Sequence, residues 1–523
     1  MSDFPDGTLR KIDLGRLAPV LIVGALLVAY VNSLAAPFIL DDLRSIVRNV
    51  HIRHLWPLGN TIQDTSRPVV HLSLALNYAL DGYNVAGYHA FNLAVHMLAA
   101  LTLFGIARRT LDAHYGASAR WLAVIIALVW ALHPLQTQSV TYVIQRAESL
   151  MGLFYLLTLY CFIRGTHSEP WYVAALVCCA LGMACKPIMV TAPLIVLLYD
   201  RTFVAKSVME ALRQRCWFYL GLAATWVLLA WLLAIGPREW QGSAGPGQVS
   251  FSTWEYLRTQ PGVILHYLRL MLYPSPLCLD YAWPMARTAS EIAHQALVIT
   301  AMLAATAWAW MHKPWLGFLG AWFFLILAPS SSAIPLADLA FEHRVYLSLA
   351  AVAALFVIGG YELCRRVALP VKLGVAALVV LGLGCVTIHR NLDYRSELSI
   401  WSDTVAKRPN NWRAQSDLGV ALERDGRTTE AMVHYEEAIR LKPDYAIAHS
   451  NLGVALAKQG QIEEAVAQFD EALRLEPASA NALYNLGLAF AKRGQSVRAT
   501  SCYRRALLVD PYFALAWNAL AKR

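Results

Sequence analysis

Residues 443–477 read PDYAIAHSNLGVALAKQGQIEEAVAQFDEALRLEP. Almost every structural feature of this stretch recurs 34 residues away. Pro443 and Pro477 belong to the series Pro409, Pro443, Pro477, Pro511. Gly453 belongs to Gly419, Gly453, Gly487, and Gly460 to Gly426, Gly460, Gly494. Ala431, Ala465, Ala499 and Ala438, Ala472, Ala506 keep the same spacing, as do the large rings Tyr435, Phe469 and Tyr503. A period of 34 fits a pair of antiparallel helices. The small residues let the two helices approach, the ring fills the gap between units, and proline ends each pair. Three full units fall at about 411–444, 445–478 and 479–512, with a half-unit before them in which Trp401 takes the aromatic place, and a lone helix at 513–523.

This pattern resembles the tetratricopeptide repeat. It predicts an α-solenoid over 391–523 with a concave face suited to extended peptides. A purely structural solenoid is the competing reading.

Residues 1–390 are a different material. The 523-residue chain is 57% hydrophobic and 15% charged, with 17 Trp and 23 Tyr, whereas soluble proteins carry about 25% charged residues. Apolar runs fall near 17–36, 90–107, 119–135, 149–163, 171–185, 187–199, 217–235, 294–311, 315–329, 345–363 and 371–388. They predict an all-α bundle of about eleven membrane spans. Arg10, Lys11, Arg16, Arg108, Arg109, Arg120, Arg201, Lys206, Arg213, Arg215, Arg365, Arg366 and Lys372 share one side if the N-terminus is cytoplasmic. The long loops 37–88, 134–148, 236–293 and 330–344, and the repeats, then share the other. Residues 236–250, rich in Gly, Ser and Pro, read as a loop, and 68–83, opening on Pro68, as a helix at the interface. The net charge is +2 for 401–523 and +7 for the rest, so the basic excess belongs to topology and anionic ligands rather than nucleic acid. Nine cysteines without a CxxC give neither a zinc site nor a disulfide framework.

The outer loops carry the chemistry. PFILDDLRSIVRNV at 37–50 sets Asp41 beside Asp42 at the mouth of a membrane, where like charges repel. Arg44 and Arg67 follow. HPLQTQSVTYVIQRAE at 133–148 brings Arg146 and Glu148, Lys186-Pro187 interrupts two apolar runs, and DLAFEHRVY at 338–346 brings Glu342, His343 and Arg344. Snorkelling to headgroups explains any one of these cations. Several together suit a lipid-linked phosphate, and a carboxylate beside a sugar donor can deprotonate an acceptor hydroxyl. A solvated turn and a divalent-metal site are the other readings of Asp41 and Asp42. His71, His89 and His96 read as packed core histidines, and Asp280 as a possible contributor to the donor or acceptor site.

The ordered set FILDDLRSI, RPVVHLSLALNYAL, GYHAFNLAVHML, LHPLQTQSVTYVIQRAESL, CKPIMVTAPLIVLLYD and AFEHRVYL, followed by the repeats, resembles the TMTC proteins (transmembrane and tetratricopeptide-repeat containing) and their bacterial relatives. The resemblance implies a GT-C glycosyltransferase fold, similar to protein O-mannosyltransferases. Carried onto this chain, the acidic catalytic motif is Asp41 and Asp42, and the late-loop motif is Glu342, His343 and Arg344. Arg146, Lys186, His343 and Arg344 would bind the donor phosphate, with Arg67, Glu148 and Glu342 in support. Pro187 stands where relatives often carry Glu, which removes a carboxylate there. The implied activity is inverting transfer of a sugar, mannose being one candidate, from a polyprenyl-phosphate carrier to Ser/Thr of an exported protein. No cofactor is certain; a divalent metal is an option. The implied place is a bacterial inner membrane with periplasmic repeats, or the ER membrane with luminal repeats. Two alternatives stand beside this: a glycan or lipid acceptor, and a non-enzymatic repeat scaffold.

Overall fold

The computed structural model describes residues 14–62, 65–205, 207–236, 251–332 and 334–522. Arg10, Lys11, Lys206 and the loop from 237 to 250 lie outside them. All eleven apolar runs are helical. Among the described residues, five helices are long and apolar enough to cross a membrane: Val85–Tyr115, Val143–Gly165, Cys216–Ile235, Ala289–His312 and Leu369–Asp393. Two bent pairs, Ala117–Ala131 with Pro134–Thr141 and Pro187–Phe203 with Val208–Gln214, raise the number to seven. Leu17–Ser33, Pro170–Met183, Pro314–Ser330 and Ser348–Leu363 are shorter apolar helices. About eleven spans is thus more than helix length alone supports. Proline accounts for several of the breaks: Pro134, Pro187 and Pro314 each open a new helical segment, because proline excludes the preceding residue from helical geometry.

The chain divides into two compact units, Met1–Leu277 with Trp283–Arg395, and Cys278–Ala282 with Ser396–Arg523. In the first, Val85–Tyr115 packs on Ala117–Ala131 and on Arg146–Gly165, which pairs in turn with Pro170–Met183. Ala289–His312 pairs with Pro314–Leu327, and the latter packs on Ser348–Leu363. Gly152 allows one close approach: a Cβ there would stand less than 3.0 Å from the Tyr346 ring. The predicted helix at 68–83 is observed as Pro68–Asp81.

In the second unit the helix pairs are Trp412–Arg424 with Thr428–Leu441, Ala446–Lys458 with Ile462–Leu475, and Ala480–Lys492 with Ser496–Val509. Trp401, 4% exposed, anchors the preceding Glu397–Lys407 helix, and Ala514–Ala521 closes the unit. Gly426, Gly460 and Gly494 turn the chain at φ +81°, +85° and +72°, where a side chain is strained. Gly419, Gly453 and Gly487 each face the repeated ring, at Tyr435, Phe469 and Tyr503. Gly453→Val is therefore expected to overpack the joint against Phe469 and destabilise the repeat unit by about 2 kcal/mol. Thermal unfolding of the full chain, followed by circular dichroism, checks this; an unchanged profile would contradict it.

Candidate active site

The loop after the first helix carries the acidic pair, and its backbone is strained there. Leu40 has φ +46°, in the left-handed region that a leucine rarely adopts. Beyond it the two neighbouring carboxylates stand in different environments. Asp42 is 0% exposed. Its Oδ2 accepts from the Ile39 N–H at 3.1 Å and its Oδ1 from the Ile144 N–H at 2.7 Å. It therefore ties the 37–42 loop to the turn before the Arg146–Gly165 helix. Burial pushes its carboxyl up to about 8, against the pull of those two N–H donors; the Asp41 charge adds to the rise and Arg146 opposes it.

Asp41 is exposed. Its N–H donates to the Tyr142 hydroxyl at 3.0 Å. Crowding by protein raises its carboxyl above the ordinary range; the Tyr142 hydroxyl opposes this, the Asp338 charge adds to it, and Arg44 and Arg67 oppose it. An accessible carboxylate and a buried, bonded one thus stand side by side. Asp42→Asn would place an amide N–H₂ or a lone oxygen where two backbone donors converge. It is expected to destabilise the first unit by about 1–3 kcal/mol. The thermal midpoint of the purified protein in detergent measures this, and an unshifted midpoint would contradict the latch.

Around Asp41 the other loops contribute cations. Arg67 precedes the Pro68–Asp81 helix and interacts with the charges of both Asp41 and Glu148, while burial lowers its pKa. Lys186, extended at φ −159° ahead of Pro187, forms an ion pair with Glu148, and their side chains are 15% and 1% exposed. Arg344 donates Nη1 to the Leu339 carbonyl at 3.1 Å and Nη2 to the Asp338 carbonyl at 2.6 Å. It fixes the 338–344 turn and places its charge beside Lys186.

His343 sits among these cations. Gln138 Oε1 accepts from the His343 backbone N–H at 2.8 Å and from its Nδ1 at 3.0 Å. That geometry leaves Nε2 without a proton. Burial lowers the imidazole well below its ordinary pKa, and Lys186, Arg344 and Arg67 lower it further. Glu342 is fully buried in the same turn and lies beside Tyr267, whose hydroxyl accepts from the Phe341 N–H at 2.9 Å.

Asp41, Arg67, Glu148, Lys186, His343 and Arg344 thus come together. Arg146 does not face the cluster as a ligand would. It is 0% exposed and donates to Asn92 Oδ1 at 2.9 Å, the Ser73 carbonyl at 3.1 Å, Asn77 Oδ1 at 2.6 Å and the Tyr88 carbonyl at 3.1 Å. Its guanidinium also lies 4.6 Å from the Phe91 ring centre. It clamps three helices behind the site. Asp280 belongs to the repeat unit, where it is bonded to Arg413. His89 and His96 are buried and His71 half-buried, His96 bonding the Tyr346 hydroxyl and the Ala131 carbonyl. Among the described residues no three His, Cys, Asp or Glu side chains converge as metal ligands do.

Tyr142, Gln138 and Asp338 were not singled out from the sequence. Each lies inside a segment that was, and only the folded loops show Tyr142 under Asp41, Gln138 under His343 and Asp338 across from Asp41.

A chain whose described residues are predominantly helical, with membrane-length apolar helices, a loop-built cluster of carboxylates and cations, and paired helical repeats, defines the class. The family model described as TPR repeat matches residues 425–460 and 455–494. Protein O-mannosyl-transferase Tmtc3 of Drosophila melanogaster is 25% identical over 506 residues, covering 80% of this chain and 54% of that protein. Protein O-mannosyl-transferase TMTC1 of Homo sapiens is 25% identical over 489 residues, covering 81% and 55%. The chain spans about half the length of these curated relatives. The chain is thus similar to the TMTC proteins over about four fifths of its length, and its C-terminal part matches tetratricopeptide repeats. The crystal structure of MamA aligns at 23% identity and a TM-score of 0.22, covering 24% of this chain and 73% of that one, too slight a likeness to argue from.

Proposed function

We propose that the chain is a membrane glycosyltransferase that moves a sugar, mannose in the first instance, from a polyprenyl-phosphate carrier to a Ser or Thr hydroxyl of an exported polypeptide. The observation that carries the reading is the pairing of an accessible carboxylate, Asp41, with a neighbouring group of half-buried and buried cations, Arg67, Lys186 and Arg344. The curated relatives, named protein O-mannosyl-transferases, supply the sugar and the acceptor class.

The Asp41 carboxylate takes the proton of the acceptor hydroxyl. The hydroxyl oxygen attacks the sugar C1 from the face opposite the phosphate. The C1–O bond to phosphate breaks, and the charge left on the phosphate is met by Lys186, Arg344 and Arg67. Single displacement inverts the anomeric carbon. Glu148 holds Lys186 in place. His343, kept neutral by burial and then by the cations around it, offers Nε2 as an acceptor to a sugar hydroxyl rather than a charge to the phosphate. Asp42 and Arg146 hold the loops that carry this arrangement. In this reading the site opens on the side of the membrane away from the cytoplasm, which the loop lengths and the basic residues of the opposite turns support.

The test is incubation of the purified full-length protein with radiolabelled polyprenyl-phospho-mannose and exported polypeptides. Label entering polypeptide supports the reading. Label entering lipid or glycan transfers the acceptor to another class, and no label across a panel of lipid-linked sugars would overturn transferase function. The pH profile adds a signed prediction. The base works only when ionised, and the Asp41 pKa is raised. Transfer is therefore expected to fall on acidification at a pH above the ordinary aspartate value of about 4. A limb at or below about 4 in kcat/KM would contradict Asp41 as the base.

A further inference from the structure

The Leu369–Asp393 helix is held at one end. Its buried residues, Thr387, Arg390 and Asn391, all lie in its last two turns. There Thr387 Oγ1 donates to the Leu132 carbonyl at 2.7 Å, and Asn391 Nδ2 donates to the Ala29 carbonyl at 3.0 Å. The earlier turns border a cavity of about 430 Å³, walled on its other sides by the Ala117–Ala131 and Ser348–Leu363 helices. The lining is apolar along most of its length, from Leu349 and Val352 to Phe356 and Val375. Phe356 and Val375 are also exposed, so the cavity opens sideways, toward the hydrocarbon of a bilayer.

The two ends differ. At one, His133 closes the cavity. Its Nε2 donates to the Met271 carbonyl at 3.1 Å and its Nδ1 accepts from the Leu135 N–H at 3.3 Å, so both ring nitrogens are engaged. This end lies toward the candidate active site, because Leu349 stands one turn beyond the Glu342–Val345 segment. At the other end Lys372 forms part of the wall. Its ammonium lies 4.3 Å from the centre of the Tyr361 ring and donates to the Arg365 carbonyl at 3.4 Å. An ammonium carries three N–H donors, so it can still meet an anion. Glu362, the acid beside Tyr361, is paired with Arg365, and Arg366 adds an exposed cation. The length suits one lipid chain: Leu349 to Tyr361 spans about 18 Å of helix, against about 15 Å for half of a bilayer's hydrocarbon core.

We propose that this cavity binds an anionic phospholipid, with one acyl chain between the three helices and the phosphate on Lys372, in the leaflet away from Asp41. Cations at the mouth of an apolar gap between membrane helices select such headgroups. The sugar donor is a separate ligand, because its phosphate belongs on the Asp41 side, where His133 seals the cavity. The bound chain braces the part of Leu369–Asp393 that buries none of its own residues, and so steadies the helix that leads into the repeats.

The experiment strips the full-length protein of lipid in detergent and adds back phosphatidylglycerol or phosphatidylcholine with identical chains. Native mass spectrometry reads retention, and thermal unfolding followed by circular dichroism reads stabilisation. Wild type is expected to retain one phosphatidylglycerol per chain and to melt several degrees higher with it, since a ligand of the folded state raises its stability. Lys372→Gln is expected to lose the preference for phosphatidylglycerol over phosphatidylcholine. Gly360→Leu/Ala376→Leu narrows the cavity from two walls, and a Cβ at Gly360 meets no surrounding atom within 4 Å. This variant is expected to keep its circular dichroism spectrum while losing both retention and the lipid-dependent shift. Equal retention by wild type and the narrowed variant overturns the cavity as the site, as does no retention by wild type. Equal retention of the two lipids by wild type, or an unchanged preference in Lys372→Gln, overturns the headgroup assignment. Displacement of phosphatidylglycerol by an equimolar polyprenyl phosphate would give the cavity to the donor and overturn the proposal. None of these readouts involves sugar transfer, so the lipid site and the transferase reading stand or fall separately.

Discussion

Asp41→Asn is expected to lower sugar transfer by about 100-fold or more while the protein keeps its fold and its thermal midpoint. The loss follows from the chemistry. An amide cannot take the acceptor proton, and the other carboxylates near it are withdrawn from solvent: Asp42 is 0% and Glu148 1% exposed, and Asp338, across from Asp41, is half-buried. The unchanged stability follows from the surroundings. Asp41 is exposed, and its backbone N–H, which donates to Tyr142, survives the substitution. The neighbouring Asp42→Asn variant inverts the pattern, losing stability first. Two adjacent acids with opposite phenotypes are what separates this account from a solvated acidic turn, in which both substitutions are silent.

Arg146→Met is expected to destabilise the first unit by about 3 kcal/mol or more, enough to deplete the folded protein in the membrane. The guanidinium bonds Asn92, Ser73, Asn77 and the Tyr88 carbonyl, all buried, so its removal leaves several acceptors without donors in a low-dielectric interior. Arg146→Lys is expected to restore little, because a single ammonium cannot reach partners arranged around a planar fork. The yield of monodisperse protein after detergent extraction, with its melting temperature, reads the effect. A well-folded Arg146→Met protein with weakened donor binding would instead return Arg146 to the phosphate site.

The repeats were legible because their cause is local. A glycine must meet a ring in each unit, Gly419 with Tyr435, Gly453 with Phe469 and Gly487 with Tyr503, so the period is written in the residues themselves. The apolar runs were equally legible as helices, since length and composition decide them. Their number as spans was not, because Pro187 and Pro314 shorten helices that a hydropathy window reads as full. In the site, residue type announced the chemistry but not the division of labour. Asp41 and Asp42 are indistinguishable in sequence; the Ile39 and Ile144 N–H groups that claim Asp42 are 3 and 102 residues away. Arg146 looked like its fellow cations until Asn77 and Asn92 were seen around it. Asp280 looked like a loop acid because its partner, Arg413, is 133 residues distant.

The central claim is that Asp41 is the base of a lipid-linked sugar transfer. The most direct measurement is single-turnover transfer from radiolabelled polyprenyl-phospho-mannose to polypeptide by wild type and by Asp41→Asn, at equal amounts of folded protein. The account predicts label in polypeptide with wild type and about 100-fold slower transfer with the variant. Equal rates in the two would contradict it.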